Sequence, residues 1–265
     1  MNIWTIANQK GGVGKTTTAV SLAGWLALSG QRALLVDMDP HGSLTSYLGL
    51  DPESPGAGVY TLFREASEGR VADAHAAVHA TFHPNLGLMP AHTALATLDR
   101  QLVGREGMGL VLARALARLA DDFDHVLIDC APILGVGMVN AVAACNLVII
   151  PTQTEYLALR GLDRMLRTLG MMQRSRSTRL DYLIVPTMHD RRTRAAQQTL
   201  ATLQARHGPR LWPGVIPVDT MLREASKLGR PLPFLQPEAR GSVAYRELLD
   251  ALMSRDDTPR LRRVS

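Results

Sequence analysis

The chain has 265 residues, of which 46% are hydrophobic, and it carries 29 Lys and Arg against 24 Asp and Glu. This length and composition exclude a disordered or fibrous chain, and they predict one domain over residues 1–255 followed by a short, basic, flexible tail over residues 256–265. No run of about 18 apolar residues occurs, and the first apolar run leads into a polar glycine loop, so we expect no membrane span, no signal peptide and a cytoplasmic location.

Short apolar runs alternate along the chain with segments of helical periodicity. The runs predict strands over residues 2–7, 32–37, 86–89, 125–130, 146–150, 181–185 and 214–218. The periodic segments predict helices over residues 16–29, 107–120, 137–144, 157–172, 193–207 and 241–255, with Gly30 as a C-terminal cap. Two prolines and two glycines predict a loop over residues 51–58. The alternation predicts an α/β fold in three layers, with a doubly wound, mostly parallel sheet between helices.

Charged residues are unevenly distributed. Arginine supplies 26 of the 29 positive side chains, and two of the three lysines, Lys10 and Lys15, lie in one glycine-rich stretch. Lysine is a compact, flexible ammonium, so its use at these two positions indicates a role that the planar guanidinium would not fill. Residues 160–240 hold fifteen Lys and Arg against six Asp and Glu, which favours a surface for a polyanion there.

The two cysteines, Cys130 and Cys145, each lie inside an apolar run and have no CxxC spacing. This usage is typical of a reducing compartment and argues against a disulfide framework or a cysteine metal site. We therefore predict that both are core residues.

A glycine-rich loop joins the first predicted strand to the first helix and reads Lys10-Gly-Gly-Val-Gly-Lys15-Thr-Thr. Backbone N–H groups of such a loop and the helix N-terminus together form an anion site. The ordinary pattern G-x-x-x-x-G-K-[ST] would require glycine at position 9, where this chain has Gln9. The loop instead resembles the deviant Walker A loop of the ParA/MinD superfamily, in which Lys10 would be the additional signature lysine.

Two further motifs follow later strands. Leu34-Leu-Val-Asp37-Met-Asp39-Pro resembles the second motif of the superfamily, with His41 where the family usually has Gln. Val126-Leu-Ile-Asp129-Cys-Ala-Pro resembles its Walker B motif. Carboxylates at the carboxyl ends of parallel strands beside a phosphate loop can hold Mg²⁺ through water, because Mg²⁺ keeps most of its hydration shell.

The resemblance extends into the second half of the chain. Residues 151–162 are similar to the P-x-x-x-E-[YF]-x-A-x-x-G-L stretch of the family, and residues 187–194 resemble the T-M-x-D-x-R-T segment of ParA/Soj members. The chain is therefore identified by resemblance as a ParA/Soj-type ATPase, with ATP or ADP and Mg²⁺ as cofactors.

The resemblance assigns roles at these positions. Lys15 would contact the β- and γ-phosphates, Thr17 the α-phosphate, and Lys10 the phosphates of a partner subunit in a nucleotide-sandwich homodimer. Asp39 would orient the attacking water. The catalytic residues would therefore be Lys10, Lys15 and Asp39. The metal would be held by Thr16 directly and by Asp37 and Asp129 through water. The other nucleotide contacts would be Gly11, Gly12, Val13 and Gly14 in the loop and Thr187, Met188 and Pro217 near the adenine.

The resemblance also implies partners. ParA members bind DNA without sequence preference as ATP dimers, through basic residues, and an adaptor protein similar to ParB stimulates their slow hydrolysis. The candidates here are Arg191, Arg192, Arg194 and Arg223, and a nucleoid location would follow. Both arginines of the family pattern P-R-x-x-R-L-x-E-A are missing from residues 217–225. Only Arg223, two positions after the place of the second arginine, could compensate for them.

Three alternatives differ in function. Residues 218–226 and 240–245 also resemble the ParC relatives that position chemosensory arrays at the cell pole. An electron carrier like the nitrogenase iron protein would need two cysteines per subunit at a shared iron–sulfur cluster. A nucleotide-binding switch would lack appreciable hydrolysis.

Two other features of the sequence are interpreted as structural. His75, His79 and His83 recur at every fourth residue and would share one face of a helix, but no further ligand completes a zinc site. The basic tail lacks the apolar face of a membrane-binding helix, so no membrane role is predicted.

Overall fold

The computed structural model describes residues 1–102, 105, 107–176 and 178–256, without the side chains of residues 99, 100 and 256. Residues 257–265 of the predicted tail lie outside the described residues. None of the helices in the described ranges is long and apolar enough to cross a membrane.

The described residues form one sheet. Its strands are β1 (Asn2–Ile6), β2 (Ala33–Asp37), β3 (His79–Ala80), β4 (Leu86–Met89), β5 (His125–Asp129), β6 (Leu147–Gln153) and β7 (Asp181–Thr187). The strand order is β3-β4-β2-β5-β1-β6-β7, and every pairing is parallel except that of β3 with β4. The predicted α/β fold with a mostly parallel sheet is confirmed.

Helices cover both faces of the sheet. They are α1 (Lys15–Leu28), α2 (Ser43–Tyr47), α3 (Val59–Ser67), α4 (Leu95–Leu102), α5 (Val111–Arg118), α6 (Val136–Ala144), α7 (Tyr156–Gln173), α8 (Arg194–His207), α9 (Met221–Lys227), α10 (Leu232–Leu235) and α11 (Arg240–Asp256). Helices α1 and α11 pack on one face, and α3 to α8 contribute to the core on the other. Gly30 follows α1 with φ 80°, as predicted for a C-terminal cap.

The strands are continuous apolar runs because both of their faces are buried. In β2, Leu34 and Val36 join the core under α3 to α8, while Ala33 and Leu35 join the core under α1 and α11. Such strands lack the alternation of a half-exposed sheet. The two cysteines lie in the first of these cores, as predicted.

The structure corrects several predicted elements. The strand predicted over residues 214–218 is wrong: this segment makes one isolated bridge, from Pro217 to His189, and a few backbone hydrogen bonds beside the end of β7, but no strand. Pro213 and Pro217 carry no N–H to donate, which prevents a continuous ladder. The prediction also missed α2, α3, α4, α9 and α10, and the two-residue edge strand β3. The loop over residues 51–58 is confirmed.

The three periodic histidines do not share a helical face. Residues 74–77 form turns and His79 lies in β3, so the helix assumed in that alignment is wrong. His75 Nε2 lies 3.1 Å from Asp122 Oδ2, and His79 Nε2 lies 2.6 Å from the Ala57 carbonyl oxygen.

Candidate functional site

The glycine-rich loop connects the carboxyl end of β1 to α1 and opens toward solvent. Gly12 has φ 73° and Gly14 has φ 89°, and residues with a Cβ rarely adopt these conformations. A Cβ at Gly11 or Gly12 would meet no atom within 4 Å, so the loop leaves open space beside its backbone. The first N–H groups of α1 point into this region, which makes it an anion site.

Lys15, the first residue of α1, lies against the loop. It is only 8% exposed, and its Nζ lies 3.4 Å from the carbonyl oxygen of Lys10. Burial lowers the pKa of Lys15, and the nearby carboxylates of Asp129 and Asp39 oppose that shift. This buried ammonium would gain from a polyphosphate beside it.

Three parallel strands bring the loop and the carboxylates of the second and third motifs together. Strand β5 lies between β1 and β2, so that Asp129 pairs in register with Ile6 on one side and Asp37 on the other. The sequence order of the three motifs gives no indication that β5 is the central strand of the three.

Asp129 has one oxygen bonded and one unpaired. Thr16 Oγ1 donates to Asp129 Oδ2 at 2.6 Å, while Asp129 Oδ1 is buried and has no hydrogen-bond partner. Burial, and secondarily the charge of Asp37, raises the pKa of Asp129 to about 8. A hydrated Mg²⁺ would supply both missing components, positive charge and water donors, so the donor set of Thr16 and Asp129 fits this cation.

Asp37 organises the loop that follows β2. One of its oxygens accepts from the N–H and Oγ1 of Thr45 at 2.8 and 2.7 Å, and the other accepts from the N–H of Asp39 at 3.1 Å. Burial raises its pKa to about 6 despite these bonds. Asp37 therefore positions the backbone of Asp39, and its role in the water shell of a metal stays a prediction.

Lys10 is held away from its own loop. Its Nζ forms an ion pair with Glu155, the residue before α7. A Cβ at Gly161 would lie 3.1 Å from the Lys10 Cβ, so the glycine lets α7 approach the loop closely. Asn8 supports this arrangement, because its side chain accepts from the Lys10 N–H and donates to the Pro151 carbonyl oxygen. The P-x-x-x-E-[YF] stretch thus lies beside the signature lysine.

A cavity of about 330 Å³ begins at the start of α1 and extends toward α9 and α11. It brings together residues that the resemblance assigned to the phosphate and to the adenine, namely Gly14, Thr16, Thr17, Thr187, Met188 and Pro217. Thr187 Oγ1 donates to the Val13 carbonyl oxygen at 2.9 Å, which fixes β7 against the loop. Met188 has φ 50°, an uncommon backbone conformation for a residue with a side chain.

Sequence reasoning missed Tyr245 of α11. This side chain lines the cavity, and its hydroxyl lies 3.0 Å from Thr18 Oγ1 in α1. No local pattern could reveal it, because the two residues are 227 positions apart and meet only through packing of α11 on α1.

The four arginines predicted to bind DNA differ in their surroundings. Arg191 and Arg194 are exposed. Arg192 donates to both oxygens of Asp190, at 2.9 and 2.8 Å, and this pairing lowers the pKa of Asp190 to about 2. Arg223 lines the cavity beside Met188. The structure thus places Arg223 at the candidate nucleotide site.

The cysteines are unsuited to a shared cluster. Cys130 and Cys145 are 1% and 2% exposed, and burial raises the pKa of both thiols. Neither thiol reaches the surface, where a cluster bridging two subunits would have to lie, so the electron-carrier alternative is not supported.

The fold and the loop together define a P-loop nucleotide-binding protein. Residues 1–182 match the family model described as AAA domain. The chain is 38% identical over 250 residues to the chromosome-partitioning ATPase Soj of Treponema pallidum, covering 94% of this chain and 96% of that protein. It is 36% identical over 259 residues to the chromosome partitioning protein ParA of Caulobacter vibrioides, covering 97% and 95%.

A solved structure of similar sequence has the same fold but is named for a different activity. Cobyrinic acid a,c-diamide synthase from Mycobacterium smegmatis, with a bound ATP analog and magnesium, superposes with a TM-score of 0.83 at 35% identity, covering 98% of this chain and 97% of that one. The chain belongs to the Soj/ParA family of P-loop ATPases.

Proposed function

We propose that the chain binds ATP with Mg²⁺ and hydrolyses it at the loop between β1 and α1. The observation that carries this proposal is the unpaired, buried Oδ1 of Asp129 beside Thr16, at the anion site that Lys15 lines. Mg²⁺ bound there would neutralise phosphate charge, and Lys15 would bind the terminal phosphates. Asp39 would orient the attacking water. Phosphoryl transfer depends on such positioned charge more than on covalent chemistry.

Hydrolysis would require a second subunit. Lys10 points away from its own loop toward Glu155, and in a nucleotide-sandwich homodimer it would exchange this ion pair for the partner's phosphates. The side chains of Lys10 and Glu155 are 24% and 43% exposed, and such a pair contributes at most about 1 kcal/mol. The exchange would therefore cost little, and turnover would be slow until dimerisation and an adaptor protein similar to ParB complete the site.

The cycle would position DNA. The relatives described above are named as chromosome-partitioning proteins, and the exposed Arg191 and Arg194 would add phosphate contacts to an ATP dimer on the nucleoid. Arg192 would contribute less because Asp190 already pairs with it. Arg223 lines the nucleotide cavity. It would either contact the nucleotide itself or change position when nucleotide binds and so alter the DNA-binding surface.

Phosphate release from ATP tests the enzymatic part. Lys15→Ala and Asp39→Ala should each lower the rate at least about 100-fold, because the first removes the positive charge that binds the terminal phosphates and the second removes the carboxylate that orients the attacking water. Lys227→Ala is the matched control, since this lysine is exposed, pairs with Glu224 in the same helix and does not line the nucleotide cavity. Equal rates for wild type, Lys15→Ala and Asp39→Ala would contradict the proposal and favour a nucleotide-binding switch.

A gel shift of non-specific DNA in the presence of ATP, repeated over a salt series, tests whether the protein binds DNA. Removing Arg191 and Arg194 together should weaken retention and reduce the slope of log affinity against log salt by about one per lost phosphate contact. Arg64→Ala with Arg70→Ala is the control, because these arginines are also exposed but pair with glutamates in and after α3. Retention that does not depend on ATP would contradict control of DNA binding by the ATP dimer. Absent retention would contradict DNA binding itself and favour the alternative of positioning a polar chemosensory array.

A further inference from the structure

His41 occupies the position where the family usually has Gln, and in this chain it contacts the candidate catalytic carboxylate. Its Nδ1 lies 2.9 Å from Asp39 Oδ1, and its backbone N–H donates to the same oxygen at 3.0 Å. The His41 side chain is 86% exposed. An imidazole this exposed is normally free to rotate, so a fixed contact to Asp39 requires an explanation.

The loop that carries His41 is held at both ends. Upstream, Asp37 accepts the Asp39 N–H. Downstream, Gly42 has φ 62°, and a Cβ at this position would lie 2.4 Å from Pro52 Cγ, so only glycine fits there. The restrained backbone therefore keeps His41 within reach of Asp39, and the contact of Nδ1 with Asp39 Oδ1 orients the ring.

Asp39 has no other side-chain donor among the described residues. It lines a cavity of about 230 Å³ together with His41, and apart from these two residues the lining is apolar. That lining includes Met38, Phe63, Leu98, Pro132 and Ile133. Both hydrogen bonds to the Asp39 carboxylate come from His41 and both end on Oδ1, which leaves Oδ2 to accept from a water molecule.

We propose that His41 is a positioning residue for ATP hydrolysis: its Nδ1–H, together with its backbone N–H, fixes the Asp39 carboxylate with Oδ2 free for the attacking water. The Nδ1 nitrogen must carry a hydrogen, because a lone pair there would face the carboxylate oxygen. This inference rests on the proposed function, in which Asp39 orients that water.

Steady-state phosphate release separates positioning from binding. His41→Ala should lower kcat about three- to tenfold and leave the KM for ATP unchanged, because the backbone donor remains and the ring does not line the nucleotide cavity. His41→Asn should restore most of kcat, since its Nδ2 can occupy the place of the imidazole Nδ1. His41→Gln carries its amide one bond further out and should restore less.

His75→Ala is the matched control, because His75 is an exposed histidine paired with Asp122 away from the loop. In the Asp39→Ala background, His41→Ala should lower the residual rate no further, whereas a merely structural role would lower it as much as in wild type. A wild-type kcat for His41→Ala, with Asp39→Ala inactive, would overturn the role of His41 and leave the proposed function standing. A wild-type rate for Asp39→Ala would contradict the proposed function itself.

Discussion

Replacing Asp129 by Asn should stabilise the nucleotide-free protein while abolishing magnesium-dependent hydrolysis. The carboxyl group is 1% exposed, its Oδ1 has no partner, and burial raises its pKa from 3.8 to about 8. Because the folded state holds a proton that the unfolded state releases, the free energy of unfolding falls as pH rises from about 4 to about 8. A neutral amide of the same shape removes this penalty.

The structure sets the size of the effect. A pKa raised from 3.8 to about 8 corresponds to about 4 kcal/mol at pH 7. The amide would also be buried with one imperfectly paired group, which costs about 1 to 3 kcal/mol. We therefore expect a net gain of about 2 kcal/mol at pH 7, or about 4 to 8 °C in Tm for a chain of this size, and a larger gain at pH 8.

Denaturant unfolding at pH 5 and pH 8, without nucleotide or magnesium, measures this gain. Asp129→Asn should be less stable than wild type or equal to it at pH 5 and more stable at pH 8. Asp124→Asn is the control of opposite sign, because Arg32 lowers the pKa of Asp124 to about 2 and that stabilisation is present above about pH 4. A loss of stability for Asp129→Asn that is the same at both pH values would show that the buried Asp129 carboxylate does not destabilise the folded state.

Three further predictions concern residues around the loop. Gly161→Ala should impair ATP-dependent dimerisation, because the new Cβ would lie 3.1 Å from the Lys10 Cβ and displace that lysine; the close contact should offset the helix-propensity gain of up to about 1 kcal/mol, and sizing and thermal unfolding of the same preparation check both. Glu155→Gln should lower the ATP concentration for dimerisation by about two- to fivefold, since Lys10 loses a half-exposed ion partner, and weaker dimerisation would contradict this. Thr16→Ala should raise the magnesium concentration for half-maximal phosphate release by at least about tenfold, whereas an unchanged magnesium titration would exclude Thr16 as a ligand.

Sequence patterns predicted the sheet and the loop because these depend on local periodicity and short spacing. The runs ending at Asp37 and Asp129 are apolar on both faces, which identifies buried parallel strands and locates their carboxyl ends. The segment over residues 214–218 is also apolar, but its prolines and its position beside β7 prevent a ladder. The short helices α2, α9 and α10 span too few turns to show a period.

The electrostatics of the site depended on tertiary packing that the sequence does not encode locally. Three-dimensional placement leaves Asp129 Oδ1 without a partner and brings Arg223 to the nucleotide cavity. His41 was visible in the sequence as a departure from the family pattern. Only the structure shows that its imidazole contacts Asp39.

Sizing of the Asp39→Ala protein by light scattering, with and without ATP and Mg²⁺, tests the ATP-dependent nucleotide-sandwich dimer. The variant should be a monomer without nucleotide and a dimer with ATP, because it would bind ATP without consuming it. Adding Lys10→Ala to this variant should abolish the dimer. A monomer under all conditions, or a dimer that forms equally without ATP or without Lys10, would contradict the nucleotide-sandwich mechanism.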